Sequence, residues 1–325
     1  MTTHPGINHD TDQTTLPQLG ADVFLADGGI ETTLIFDDGF DLPDFAAFAL
    51  LDSEEGRAAL HRYFDRYVEV AARDRVGIVL ETPTWRASAD WTTRQGYDLP
   101  ALDRLNREAV ELLFDVRDRH RQHEIPIVVS GCIGPRGDGY DPGELMSRAE
   151  ARTYHALQAR AFADAGADVI TAITMTYPAE ATGIVEAARQ VGMPAVISFT
   201  VETDGTLPTG ETLQSAIETV DAETDGYAAY YMVNCAHPTH FAHVLDPAAP
   251  WTKRIRGLRA NASTMSHQEL DEAPELDPGD PVDLAARYRS LRETLPQLTV
   301  LGGCCGTSHE HIDAISAACR TVAAG

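Results

Sequence analysis

Cys235, Cys304 and Cys305 are the residues of this 325-residue chain whose type and spacing promise chemistry most directly. Each closes a short apolar run, Cys235 within Tyr230–Ala236 and the adjacent pair at the end of Leu298–Cys304. If those runs are the sixth and eighth strands of a barrel, their ends converge across roughly 10 Å, since neighbouring strands lie about 4.8 Å apart. Three thiolates meeting at a barrel mouth with a fourth position open is the layout of a catalytic zinc site. Zinc suits thiolates because it is borderline-soft and has no redox chemistry of its own. Gly302, Gly303 and Gly306 leave the backbone free to present two adjacent ligands. Two blander readings stand beside this one. A lone Cys235 fits a hydrophobic core, and Cys304-Cys305 fits a redox element, although adjacent cysteines rarely form an unstrained disulfide. Cys132, at the end of the third apolar run, reads as core or as a mouth residue; Cys319, in the last helix, reads as structural.

Other groups compete for a role. Gly302-Gly303 leading into Thr307-Ser308, and Gly131, Gly134, Gly137 and Gly139, could hold phosphate on backbone amides at helix starts or could simply make tight turns. His237 and His240 stand three apart at a helix start, where they serve as metal ligands or as caps. Asp27, Glu31 and Glu81 lie at the ends of strands one and two, where a carboxylate anchors a substrate ammonium group or holds a turn. Trp85, Tyr97, Tyr177 and Tyr231 lie near strand ends and could face a cation through their rings.

The elements that must position these groups alternate along the chain. Strands are expected at Val23–Gly29, Gly77–Trp85, Ile125–Ile133, Ala167–Thr174, Pro194–Val201, Tyr230–Ala236, Ile255–Ala260 and Leu298–Cys304. Each is apolar without strict alternation, as a strand buried on both faces should be. Helices are expected at Glu54–Asp74, Leu99–Gln122, Glu144–Ala165, Ala179–Val191, Thr212–Glu223, Pro238–Leu245, Pro281–Thr294 and Ser308–Val322. Eight strand–helix pairs are the count of a single-domain α/β chain folded as a (β/α)8 TIM barrel over residues 21–325. An open doubly wound sheet is the rival, but the chain has no dinucleotide-type glycine fingerprint. Met1–Gly20 reads as a flexible arm, and Ser263–Asp280 as an acidic loop long enough to be a lid.

Composition adds exclusions. Basic residues number 25 against 50 acidic ones, a net charge of −25, and Lys253 is the only lysine. Nucleic acid and anionic membranes would repel such a chain, and no apolar run approaches the roughly 18 residues of a membrane span. The excess of acid with almost no lysine points to a halophilic cytoplasm, where salt screens repulsion to a few ångströms. No signal peptide is expected in the polar first twenty residues. The odd cysteine count then favours reduced thiols over a disulfide framework.

Asp27-Gly28-Gly29, Val233-Asn234-Cys235 and Gly302-Gly303-Cys304-Cys305-Gly306-Thr307 together resemble the marker segments of the zinc-dependent homocysteine S-methyltransferase family. Ile197-Ser198-Phe199, Asp204-Gly205, Thr209-Gly210-Glu211 and Ser130–Pro135 extend the resemblance from about Val23 to the C-terminus. It implies a TIM barrel with Zn2+ on Cys235, Cys304 and Cys305, the substrate thiol as fourth ligand, and Asp27 at the homocysteine amino group; Glu81 and Asn234 are expected at the substrate beside it. It also implies transfer of a methyl group to homocysteine from a small diffusible donor such as S-methylmethionine or S-adenosylmethionine, or from a carrier protein. The chain departs from the family pattern twice. Ile173 stands where a strand-four glutamate is usual, and Thr82-Pro83-Thr84 replaces the usual segment after strand two, with Glu81 just before it. Either Glu81 or another mouth carboxylate supplies the missing charge, or the thiol differs. A phosphate-ligand barrel enzyme, a zinc hydrolase and a non-catalytic zinc protein are the readings from other classes.

Overall fold

A computed structural model describes residues 16–273 and 275–320. Eight parallel strands close into one barrel in sequence order: β1 (Phe24–Ala26), β2 (Gly77–Glu81), β3 (Ile127–Ile133), β4 (Val169–Met175), β5 (Ala195–Phe199), β6 (Ala228–Asn234), β7 (Ile255–Ala260) and β8 (Val300–Gly303). Phe24 pairs with both Gly77 and Val300, which closes the ring. The TIM barrel expected from the strand–helix alternation is therefore the fold. The outer layer comprises α1 (Glu54–Asp74), α2 (Leu99–Arg119), α3 (Arg148–Ala165), α4 (Pro178–Gln190), α5 (Leu213–Thr224), the short α6 (Pro238–Phe241), α7 (Pro281–Thr294) and α8 (His309–Cys319).

Local sequence explains where the helices begin and stop. Ser53 caps α1 by accepting from the Gly56 amide, and Ser147 with Glu150 forms a reciprocal capping box on α3. Gly166 ends α3 in the left-handed region, which costs glycine no steric strain. Short α-helices at Ile30–Thr32, Ala89–Arg94 and His267–Glu272 lie outside the expected helices, the last inside the loop expected at 263–280. The expected helix at Pro238–Leu245 survives only as one turn of α-helix followed by a 3-10 turn.

The strands carry two cores. Outward side chains such as Leu25, Ile78, Val129, Ile170, Ile197 and Tyr231 meet the helices, and each fully buried apolar side chain there contributes roughly 1.5–3 kcal/mol relative to exposure. Inward side chains Phe24, Val79, Val128, Val169, Val196, Tyr230, Met232 and Val300 fill the lower barrel. Following the inward rows two residues at a time toward the strand ends, the lining turns polar: Glu81, Ser130, Thr171, Ser198, Asn234 and Arg259 are all buried. Residues 1–15 of the expected arm lie outside the described residues, but Leu16–Gly20 are not an arm. Leu16 joins the inner core, the Gln18 amide donates to the Tyr230 hydroxyl at 3.5 Å, and Thr299 donates to the Gln18 carbonyl at 3.0 Å. This segment closes the bottom of the barrel. Lys253, exposed in the turn entering β7, lies at the same end.

Candidate metal centre

The structure brings Cys235, Cys304 and Cys305 together at the top of the barrel, their three sulfurs within 4.8 Å of one another. Cys235 Sγ and Cys305 Sγ are 3.5 Å apart, and Cys235 is buried while the other two are half-buried. Positive φ angles build this convergence. Cys235 has φ +55°, which turns its side chain off the strand line, and Thr174 on neighbouring β4 has φ +66°, a costly conformation for a β-branched residue. Asn234 holds both. Its carboxamide oxygen accepts from the Thr174 amide at 2.9 Å and the Ser198 hydroxyl at 2.6 Å, and its nitrogen donates to Thr174 Oγ1 at 2.8 Å. That nitrogen also lies 3.9 Å from Cys304 Sγ. Asn234, expected among the substrate-binding residues, is committed to the turn that presents Cys235. On β8, Gly306 follows Cys305 at φ +76°, and a side chain at Gly303 would collide with Thr307. Both glycines are required by the pair's geometry.

Hydrogen bonds from Cys235 and Cys305 draw the Cys304 thiol well below the usual thiol range, and the Arg259 guanidinium adds to the effect. Tyr140, on the loop after β3, roofs the cluster. Its hydroxyl lies 3.3 Å from Cys235 Sγ and 3.7 Å from Cys305 Sγ, and its ring stacks on His267 at 4.0 Å. His267 reaches the Cys235 carbonyl at 2.7 Å and Glu202 at 3.1 Å. The loop after β7 is therefore tied to the thiols through one residue of its short helix.

Beneath the thiols lies a buried charged cluster. Asp27 Oδ1 is 2.8 Å from Arg259 Nη1, and Tyr63 donates to Asp27 Oδ2 at 3.1 Å. Burial raises the Asp27 carboxyl against the pull of Arg259 and Tyr63. Glu81 is pushed up to about 7 by burial, with Arg259 opposing. Glu31 is likewise pushed up to about 7 by burial, with the Cys304 and Asp27 charges adding. Burial works against the Arg259 charge, but Asp27, Glu81 and Cys304 outweigh it and raise its pKa. A second arginine, Arg86, stands at the rim between the rings of Trp85 and Trp91 at 4.0 and 3.7 Å, paired with Asp138 at 2.9 Å.

Several expectations change here. Three of the four aromatic candidates are elsewhere: Tyr97 packs edge-on against Phe48, the Tyr177 hydroxyl accepts from the Met146 amide, and Tyr231 points outward with its hydroxyl on Asp221. Trp85 is at the mouth, but Arg86 covers its ring. His237 caps α6 and His240 bonds the Thr264 carbonyl, so neither joins the thiols. The glycine-rich start of α8 is closed to phosphate because its own amides are taken: Gly303 donates to the Asp27 carbonyl, Thr307 to the Cys304 carbonyl and Ser308 to His311 Nδ1. Cys132 is buried on an inward row outside the thiol cluster. Arg259, Tyr140 and His267 were not anticipated. The available signal for Arg259 was a charge near the end of an otherwise apolar strand.

A closed (β/α)8 barrel with three thiols at the C-terminal ends of β6 and β8 carries them where barrel enzymes have their active sites. The profile of the family described as homocysteine S-methyltransferase matches residues 24–319, so the chain belongs to that family and is a methyltransferase. It is 25% identical over 314 residues to homocysteine S-methyltransferase 1 of Arabidopsis thaliana, covering 90% of this chain and 92% of that one. The corresponding protein of Brassica oleracea var. italica is 24% identical with the same coverage. Among solved structures, the metallated form of the homocysteine methyltransferase MmuM from Escherichia coli superposes with a TM-score of 0.73 at 20% identity. The match covers 91% of this chain and 96% of that one.

Proposed function

We propose that the chain transfers a methyl group from a small donor, S-methylmethionine or S-adenosylmethionine, to the thiol of homocysteine in a zinc-dependent reaction. The observation that carries this is the three-thiol cluster, whose all-sulfur donor set fits Zn2+ better than hard cations. Cys235, Cys304 and Cys305 would hold the ion, which when bound keeps a substrate thiol deprotonated at neutral pH. The protein's own residues do the rest. Asn234 fixes the Cys235 turn, Tyr140 and His267 roof the site against water, and the buried cluster below receives the substrate's polar end. In the transfer the thiol proton passes to solvent and the substrate sulfur forms a bond to the methyl carbon. The donor's carbon–sulfur bond breaks with its electrons remaining on the donor sulfur, and orientation supplies much of the rate. Five unpaired cysteines fit a reducing cytoplasm.

The test is a donor screen with homocysteine and mass detection of methionine, run alongside metal analysis. About one zinc per chain is expected, with zinc and turnover both lost in Cys235→Ala, Cys304→Ala or Cys305→Ala. Retention of both in these variants overturns the reading.

A further inference from the structure

Four polar atoms under the thiols are buried without a hydrogen-bond partner: Asp27 Oδ1, Glu81 Oε2, Arg259 Nε and Arg259 Nη1. They belong to three residues no more than 5% exposed, on β2, on β7 and just past β1. Arg259 Nη1 is close enough to Asp27 to form an ion pair, yet the two are not aligned as a hydrogen bond. Leaving a buried charged donor or acceptor unsatisfied is costly, so such atoms collected in one place call for a group that satisfies them. With Asp27 Oδ1 and Arg259 Nη1 set against each other, Glu81 Oε2 and Arg259 Nε remain, one acceptor and one donor. A ligand that completes the set carries an anion and a cation side by side.

We infer that Arg259 decides which thiols are accepted, by binding the carboxylate of the substrate across from Asp27 and Glu81. The inference rests on the thiol-methylation reading and adds a specificity-determining residue to that site. Arg259 presents a planar fork suited to a carboxylate, and it is the only cation of the three. Asp27 and Glu81 take the ammonium group. Glu81 does so from β2, beside the Ser130 and Thr171 hydroxyls, because Ile173, two residues beyond Thr171 on the same face of β4, is apolar. A thiol carrying only an amine would meet Arg259 without an anion to offer. One carrying only a carboxylate would face Asp27, Glu81 and Glu31. A neutral zwitterion satisfies both signs and leaves the net charge of the buried cluster unchanged.

The experiment compares homocysteine with mercaptopropylamine, which lacks the carboxylate, and with mercaptobutyrate, which lacks the ammonium group. Calorimetric binding of methionine and methylthiopropylamine is measured in parallel, a readout that needs neither metal nor turnover. In the wild-type protein, homocysteine is expected to exceed mercaptopropylamine in kcat/KM by about 10- to 100-fold, the range for a charged hydrogen-bonded contact. Methionine should exceed methylthiopropylamine in affinity by a similar factor. Both ratios fall toward unity in Arg259→Gln and recover in part in Arg259→Lys, which keeps the charge without the fork. Ratios near unity in the wild type, or ratios that persist in Arg259→Gln while all ligands weaken together, overturn the assignment. Should no thiol be methylated, the functional reading falls by itself, and the binding ratios still decide for or against Arg259.

Discussion

At the scale of single residues, Glu81 links the site to stability. Its carboxyl sits at about 7 in the folded chain against 4.5 as the ordinary value, because burial disfavours the charged form. The folded state therefore holds this proton over a range where the unfolded state has released it. Stability from Glu81 is present at low pH and is lost as pH rises from about 4.5 to about 7, up to about 3 kcal/mol in all. Denaturant midpoints of wild type and Glu81→Gln should accordingly diverge, the variant gaining relative stability between about pH 5 and about pH 8. A gap that stays constant or narrows would contradict the assignment. Residue by residue, the thiols and the strand-end carboxylates Asp27, Glu31 and Glu81 were legible in the sequence, and Arg259 was not. Cys235, Cys304 and Cys305 stand out because cysteines are few and three of them end strands. With 50 acidic residues in the chain, composition could not separate Asp27 or Glu81 from surface carboxylates; their places at strand ends did. Arg259 was hidden by its partner, since the ion pair that makes it tolerable in the barrel exists only once β7 and β1 share one mouth.

At the scale of elements, the strands were read nearly in full and the loops hardly at all. Buried parallel strands announce themselves by apolar runs, whereas the 3-10 and π turns between Ile30 and Asp52 follow from tertiary packing that no local pattern encodes. The roof over the thiols is of the second kind: it joins the loop after β3 to the loop after β7 through the Tyr140–His267 stack. Removing it has a direct consequence. In metal-free Tyr140→Ala, alkylation of Cys235 and Cys305 by iodoacetamide should quicken about tenfold as the buried thiol is uncovered. Cys132 and Cys319, buried by the barrel and by α8, should stay unlabelled in both proteins. Equal labelling rates at Cys235 and Cys305 in the two proteins, read by peptide mass mapping, would show that the stack does not shield the site.

At the scale of the whole molecule, a net charge of −25 is a repulsive load on the compact state. The ion pairs across the helices use arginine, for example Arg107 with Asp103 and Asp164, and Arg254 with Asp221. They offset the load locally but leave the long-range repulsion, which only mobile ions screen. The melting temperature should rise by about 5 °C or more as potassium chloride increases from about 0.1 to about 1 M, since the screening length shortens from roughly 10 to 3 Å. A flat or falling trend would refute the proposed adaptation to salt. The barrel itself was legible from the eight-fold alternation. The packed bottom was not, because Leu16–Gly20 become recognisable as a plug only against Tyr230 and Thr299.

The position of Lys253 has a practical corollary. Amine-directed reagents find a single ε-amino group on this chain, exposed in the turn at the foot of β7. The thiols lie at the opposite end of the same barrel. A tether or fluorophore coupled there, with any free α-amino group blocked first, would hold the enzyme by its base with the mouth turned outward.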